Sequence, residues 1–105
     1  MNSIEKIKKQ ISDNMIVLYI KGPLNSSKCK FSAQAVKILL PYSTYIKYID
    51  VLEHKDIRNS LPAFSNWPTF PQLWINKKLI GGCDTIMKMN KNGELRKILL
   101  SIIKK

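Results

Sequence analysis

In this chain of 105 residues the setting that most favours chemistry is that of Cys29. It follows a short apolar run and a loop rich in Gly, Pro, Asn and Ser, and it precedes the apolar helical segment Phe31 to Leu40. A thiol at a helix N-terminus sits at the positive end of the macrodipole, which favours the thiolate, the form that attacks disulfides and binds soft metals. The other cysteine, Cys83, is far away in sequence, so the chain has neither a CxxC pair nor the ligand spacing of a structural zinc site. A structural disulfide is disfavoured on the same ground. The lone histidine, His54, stands beside Lys55 in a loop and reads as a solvated residue with no ligand role.

The length suits one domain over residues 1–105, with room for a modest core. No apolar run approaches the roughly 20 residues of a membrane helix. Around Ile4, Ile7 and Ile11 the first residues mix Glu5 with Lys6, Lys8 and Lys9. That is helix patterning and not a secretory leader, so the expected location is the cytoplasm. A formal charge of +11 raises nucleic-acid binding. Against it, the excess is almost all lysine, scattered over the chain, and only Arg58 and Arg96 offer the planar fork suited to bidentate recognition. Solvated basic faces are the preferred reading, with nucleic acid disfavoured as a partner.

The elements that must position Cys29 follow from periodicity. An amphipathic helix is expected from Asn2 to Asp13 with Ser3 as cap, then a strand over Met15 to Ile20 apolar enough to be covered on both faces. Gly22 to Lys28 should form an exposed loop, and Pro41 should stop the helix after Cys29. A second strand over Tyr45 to Val51 is reached by a crossover long enough for parallel pairing. Asp56 is placed to cap a third helix holding Ile57, Leu61 and Phe64. The strand Gln72 to Ile75, a turn at Asn76 to Lys78 and a return over Leu79 and Ile80 make a hairpin ended by Gly81-Gly82. Asp84 or Thr85 should cap a fourth helix, and Asn92-Gly93 separates it from a last helix, Glu94 to Ile103. The order αβαβαββαα describes an α/β thioredoxin-like sandwich, a four-stranded mixed sheet flanked by about five helices.

Four separated segments carry a closer resemblance: Lys21-Gly22, the run Cys29 to Val36, Trp67 to Gln72, and Gly81-Gly82-Cys83-Asp84. In order and spacing they resemble the monothiol glutaredoxins of the bacterial single-domain type, over nearly the whole chain. The resemblance implies that Cys29 is the active cysteine and a thiolate ligand of a [2Fe-2S] cluster. Such a cluster needs four sulfur ligands, which the family supplies with a homodimer and two bound glutathione molecules. It also implies a glutathione site in which Lys21 pairs with a carboxylate and Arg58 grips the glycine-end carboxylate. Pro71 is expected to be cis, with the backbone of Phe70 pairing to glutathione like an added strand. The amides of Cys83 and Asp84 would receive the γ-glutamyl carboxylate, with Asp84 also accepting from its amino group. Cys83 has an alternative use in resolving a disulfide with Cys29. Trp67 is expected to be structural or a wall of the groove, and Trp74 to be core.

The family motif is Cys-Gly-Phe-Ser, and here Lys30 stands where the glycine would be. Its long side chain is expected to crowd the space where a second protomer, glutathione and a cluster would meet, while its charge favours thiolate and offsets the cluster's charge. The preceding loop also departs from the family, with Ser26, Ser27 and Lys28. The function implied is iron-sulfur carriage to apo-proteins, with a BolA-like partner as a further option. The alternative is a weak glutathione-dependent monothiol oxidoreductase.

Overall fold

The computed structural model describes residues 1–25 and 29–103; the expected loop at Ser26, Ser27 and Lys28 lies outside the described residues. In chain order the elements are α1 (Ser3–Asp13), β1 (Ile16–Ile20), α2 (Lys30–Leu39), β2 (Lys47–Asp50), α3 (Lys55–Ser65), β3 (Gln72–Ile75), β4 (Lys78–Gly81), α4 (Cys83–Asn92) and α5 (Glu94–Ile103), with a 3-10 turn, Leu40–Tyr45, after α2. The sheet order is β2-β1-β3-β4, with β1 parallel to β2 and antiparallel to β3, and β3 antiparallel to β4.

All five residues of β1 are buried, because the strand is central and covered on both faces. Its period of two divides them: Ile16, Leu18 and Ile20 join the core that holds Ala35, Leu39, Ile86, Leu95 and Leu99 from α2, α4 and α5. Val17 and Tyr19 join the opposite core with Ile7, Ile11, Ile57 and Leu61 from α1 and α3. Strand β3 repeats the division, Leu73 and Ile75 on one side and Trp74 on the other. Each fully buried aliphatic side chain contributes roughly 1.5–3 kcal/mol, so the two cores clamp the sheet from both faces. What this fixes for function is the C-terminal end of β1, where Cys29 begins α2.

Several helix ends differ from expectation. Asn2, not Ser3, caps α1, its Oδ1 accepting from the Glu5 N–H at 2.9 Å, while the Ser3 hydroxyl meets Ser60 Oγ at 2.6 Å. Pro41 does end α2 as expected, the α-helix stopping at Leu39, but the chain winds on in the 3-10 turn, where the missing N–H and fixed φ of Pro41 are tolerated. That turn consumes Tyr45, so β2 is shorter than the apolar run suggests. Asp56 lies in the first turn of α3 and pairs with Lys6 at 2.9 Å instead of capping; His54 holds the cap position without a side-chain bond. At the start of α4 the cap is Gly82, so neither Asp84 nor Thr85 caps it.

Candidate functional site

Two helix N-termini open on one cavity of about 560 Å3, within the range of small-molecule sites. Cys29 is the N-cap of α2 and Cys83 the first residue of α4, and neither terminus has a side-chain cap, which leaves first-turn amides facing outward. The lining brings together Lys21, Cys29, Phe70, Cys83 and Asp84, five of the six expected site residues, with Trp67 as wall. Arg58 is exposed in the first turn of α3, outside that lining. Its neighbour Ile57 shares a core cluster with Phe70, which sets the start of α3 on the Phe70 side of the molecule.

Cys29 is part-exposed and forms no disulfide with Cys83. Burial pushes its pKa up, but the Ser32 and Phe31 amides, the Ser32 hydroxyl and the Lys21 ammonium outweigh burial and bring it below the usual thiol value. The amides act across space without closing a cap hydrogen bond. Ser32 is completely buried, and its Oγ accepts the Lys21 N–H at 3.1 Å, so one hydroxyl ties the end of β1 to the thiol. The Lys21 ammonium lies 5.9 Å from the centre of the Phe70 ring, which holds it at the cavity rim. The Lys30 ammonium lies 5.4 Å from the Phe31 ring centre and is not among the groups that lower the Cys29 pKa. The expected help from Lys30 to the thiolate is therefore not what the structure shows.

Cys83 behaves in the opposite way. Burial raises its pKa, and the neighbouring charges of Asp84 and Cys29 raise it further. Its thiol rests 3.7 Å from Met87 Sδ and 3.9 Å from Gln34 Oε1.

One wall of the cavity is the segment Trp67 to Phe70, which is followed by a cis Phe70-Pro71 bond and a buried glutamine, Gln72. Gln72 Nε2 donates to the Trp67 carbonyl at 2.8 Å, and Gln72 Oε1 accepts from Trp74 Nε1 at 3.3 Å. The segment Trp67 to Thr69 is thereby pinned to β3. Phe70 has no hydrogen bond to its own N–H or C=O among the described residues. At Gly82 a Cβ would lie 3.2 Å from the Pro71 carbonyl oxygen and 3.3 Å from Trp67 Nε1, so the bare backbone is what lets α4 approach this wall. On the other flank, Asp50 Oδ1 accepts from the N–H of Gly22 (2.8 Å) and of Leu52 (2.9 Å), anchoring the start of the cysteine loop at Gly22, where φ is 98°. Ser32, Gln72 and Asp50 had no role in the sequence reading. A buried polar residue announces itself only through its partners, and for Asp50 and Gly22 those are 28 positions apart.

The glutaredoxin family model matches residues 16–80, the stretch from β1 into β4. The chain belongs to the glutaredoxin family. With a single cysteine at the α2 N-cap it is of the monothiol bacterial type. It is 53% identical over 103 residues to Glutaredoxin 4 of Buchnera aphidicola subsp. Schizaphis graminum, covering 98% of this chain and 96% of that protein. Among solved structures it is similar to a monomeric truncated mutant of Trypanosoma brucei 1-C-Grx1, with a TM-score of 0.84 and 32% identity over 96% of this chain and 91% of the other. A buckwheat glutaredoxin-glutathione complex shares the fold, with a TM-score of 0.79 and 22% identity, covering 94% and 88%. This glutaredoxin thus has the thioredoxin-like sandwich expected from its element order.

Proposed function

We propose that this glutaredoxin, acting as a single domain over residues 1–105, binds glutathione beside Cys29 and carries a bridging [2Fe-2S] cluster as cargo for apo-proteins. The observation that carries the reading is the convergence on one cavity of a thiol with a lowered pKa, the unbonded backbone of Phe70 and the uncapped N-terminus of α4. A peptide-like ligand would pair with the Phe70 N–H and C=O as an added strand. Its γ-glutamyl carboxylate would meet the Cys83 and Asp84 amides, its amino group Asp84, and its remaining carboxylate Lys21 and Arg58. The family resemblance and the solved glutaredoxin-glutathione relative support this placement.

A [2Fe-2S] cluster needs four sulfur ligands, and a protomer offers one accessible thiol because Cys83 is buried. Two protomers with two glutathione thiolates complete the set, which is the homodimer of this reading; a BolA-like partner in place of one protomer is its heteromeric form. The cytoplasm is the proposed location. Among the described residues no helix is long and apolar enough to cross a membrane. Anaerobic reconstitution with iron, sulfide and glutathione tests the reading. The expected product is a coloured dimer that Cys29→Ser abolishes, and a colourless monomer with fully reactive Cys29 contradicts it.

The lowered pKa and partial exposure of Cys29 favour one second reading, monothiol oxidoreductase activity. The Cys29 thiolate attacks the glutathione sulfur of a glutathionylated protein and releases that protein's thiolate. A second glutathione thiolate then attacks the mixed disulfide, freeing Cys29 and leaving glutathione disulfide. Turnover of a glutathionylated peptide, with no cluster formed, would move the assignment to this reading.

A further inference from the structure

Beyond Lys21 and Arg58 the site described above uses little of the +11 charge, and the distribution of the rest near that site points to a second feature. Between α2 and α4 runs an open groove of about 490 Å3 lined by Gln34, Lys37, Ile38, Met87 and Asn90. Cys83 joins it to the thiol cavity, since its sulfur touches Gln34 and Met87 of the groove while lining the cavity with Cys29. Apolar surface is left open along this path, with Phe31 at 49% and Met87 at 39% exposure. Lys30 lies at the start of α2, one helical turn before Gln34, while Lys37 and Lys91 stand in the last turns of α2 and α4, so cations mark both ends of the path. None of the seven acidic residues lines the groove, and the ion pairs among the described residues, Lys6–Asp56 and Lys9–Asp13, leave all three lysines without an acidic partner.

We infer that this groove docks an acidic segment of a partner protein that also carries apolar side chains, and so presents that partner's cysteine to Cys29. Helix α2 is ten residues long, roughly 15 Å, enough for an amphipathic partner helix of about three turns laid between two helices. The apolar side chains would cover Met87 and Ile38, and the rim carboxylates would meet Lys30, Lys37 and Lys91, setting partner choice and association rate. A second copy of this chain is a poor occupant, because it would bring its own excess of positive charge to a basic rim. The inference relies on the proposed function only for the thiol chemistry that docking would serve.

The test is an isotope-labelled NMR titration of the reduced chain with three peptides of equal length: glutamate-leucine, glutamine-leucine and lysine-leucine. The expected result is that the glutamate peptide moves the amide signals of Gln34, Ile38, Met87 and Asn90 and binds roughly tenfold more tightly than the glutamine peptide at low salt, with the gap closing as salt screens the rim. The double variant Lys37→Glu, Lys91→Glu should reverse that preference toward the lysine peptide, and its own spectrum reports that it is folded. Shifts scattered over lysines of every helix, unchanged peptide order in the double variant, or tighter binding of a short DNA duplex to the same groove each overturn the inference. Glutathione is titrated into the same samples. A missing glutathione response in the unmodified chain counts against the proposed function alone, and the peptide order still decides the groove.

Discussion

Two cysteines begin two helices that share one cavity, yet their thiols are pushed in opposite directions. Cys29 at α2 is part-exposed and faces the Ser32 hydroxyl and the Lys21 ammonium, so its pKa falls. Cys83 at α4 is buried and sits next to Asp84, so its pKa rises. Helix polarity is common to both and therefore does not decide the outcome. Burial and the sign of the nearest charge do. Two thiols at like positions thus carry one lowered and one raised pKa.

The largest expected effect comes from removing one sulfur at a time. Cys29→Ser should abolish both cluster assembly and rapid alkylation at neutral pH, whereas Cys83→Ser should leave both in place; equal losses in the two variants would break the contrast. Next is Ser32→Ala, which removes a donor to the Cys29 thiolate and strands the Lys21 N–H. It should cost about 1–3 kcal/mol in denaturant unfolding and move the Cys29 alkylation profile to higher pH. An unchanged profile would show that the amides and Lys21 suffice.

The pH dependence separates the thiols without mutation. A depressed folded-state pKa contributes stability above the unfolded thiol pKa that is lost as pH falls through the folded value, and a raised one contributes stability that is lost as pH rises through the folded value. Cys29 is the first case and Cys83 the second, so alkylation followed by mass spectrometry should reach its plateau at lower pH for Cys29. A smaller effect is expected of Asp84→Asn, which removes one of the two charges that raise Cys83 and should bring its profile part of the way down. The smallest is Lys30→Gly. It should leave the Cys29 profile nearly unmoved, because the ammonium rests on Phe31, while the relieved crowding lengthens cluster retention in reconstituted protein; faster cluster loss would refute the crowding argument.

Much of this contrast could be read from residues close in sequence. The thiol before an apolar helix, the β3 strand at Gln72–Ile75 and the last helix at Glu94–Ile103 were legible because each is signalled by local pattern. So was the hairpin, where Asn76 and Lys77 adopt positive φ between two apolar runs. The features that were missed depend on three-dimensional contacts, several of them with residues far away in sequence. Asp56 looks like a cap until Lys6, 50 positions earlier, reaches it. Ser32, in the first turn of α2, gives no local sign of its role until the end of β1 donates to it. Lys30 looks like a charge for Cys29, and only the rotamer over Phe31 shows otherwise. The raised pKa of Cys83 is a matter of burial, which a cysteine after two glycines does not announce.

The central claim is that the Cys29 cavity receives glutathione through the Phe70 backbone and the N-terminus of α4. It is tested most directly by titrating glutathione into the reduced, isotope-labelled chain and following the amide signals of Phe70, Cys83 and Asp84. The account predicts saturable shifts at these three amides, with heat of binding in parallel calorimetry. A titration that leaves them unmoved and evolves no heat would contradict it.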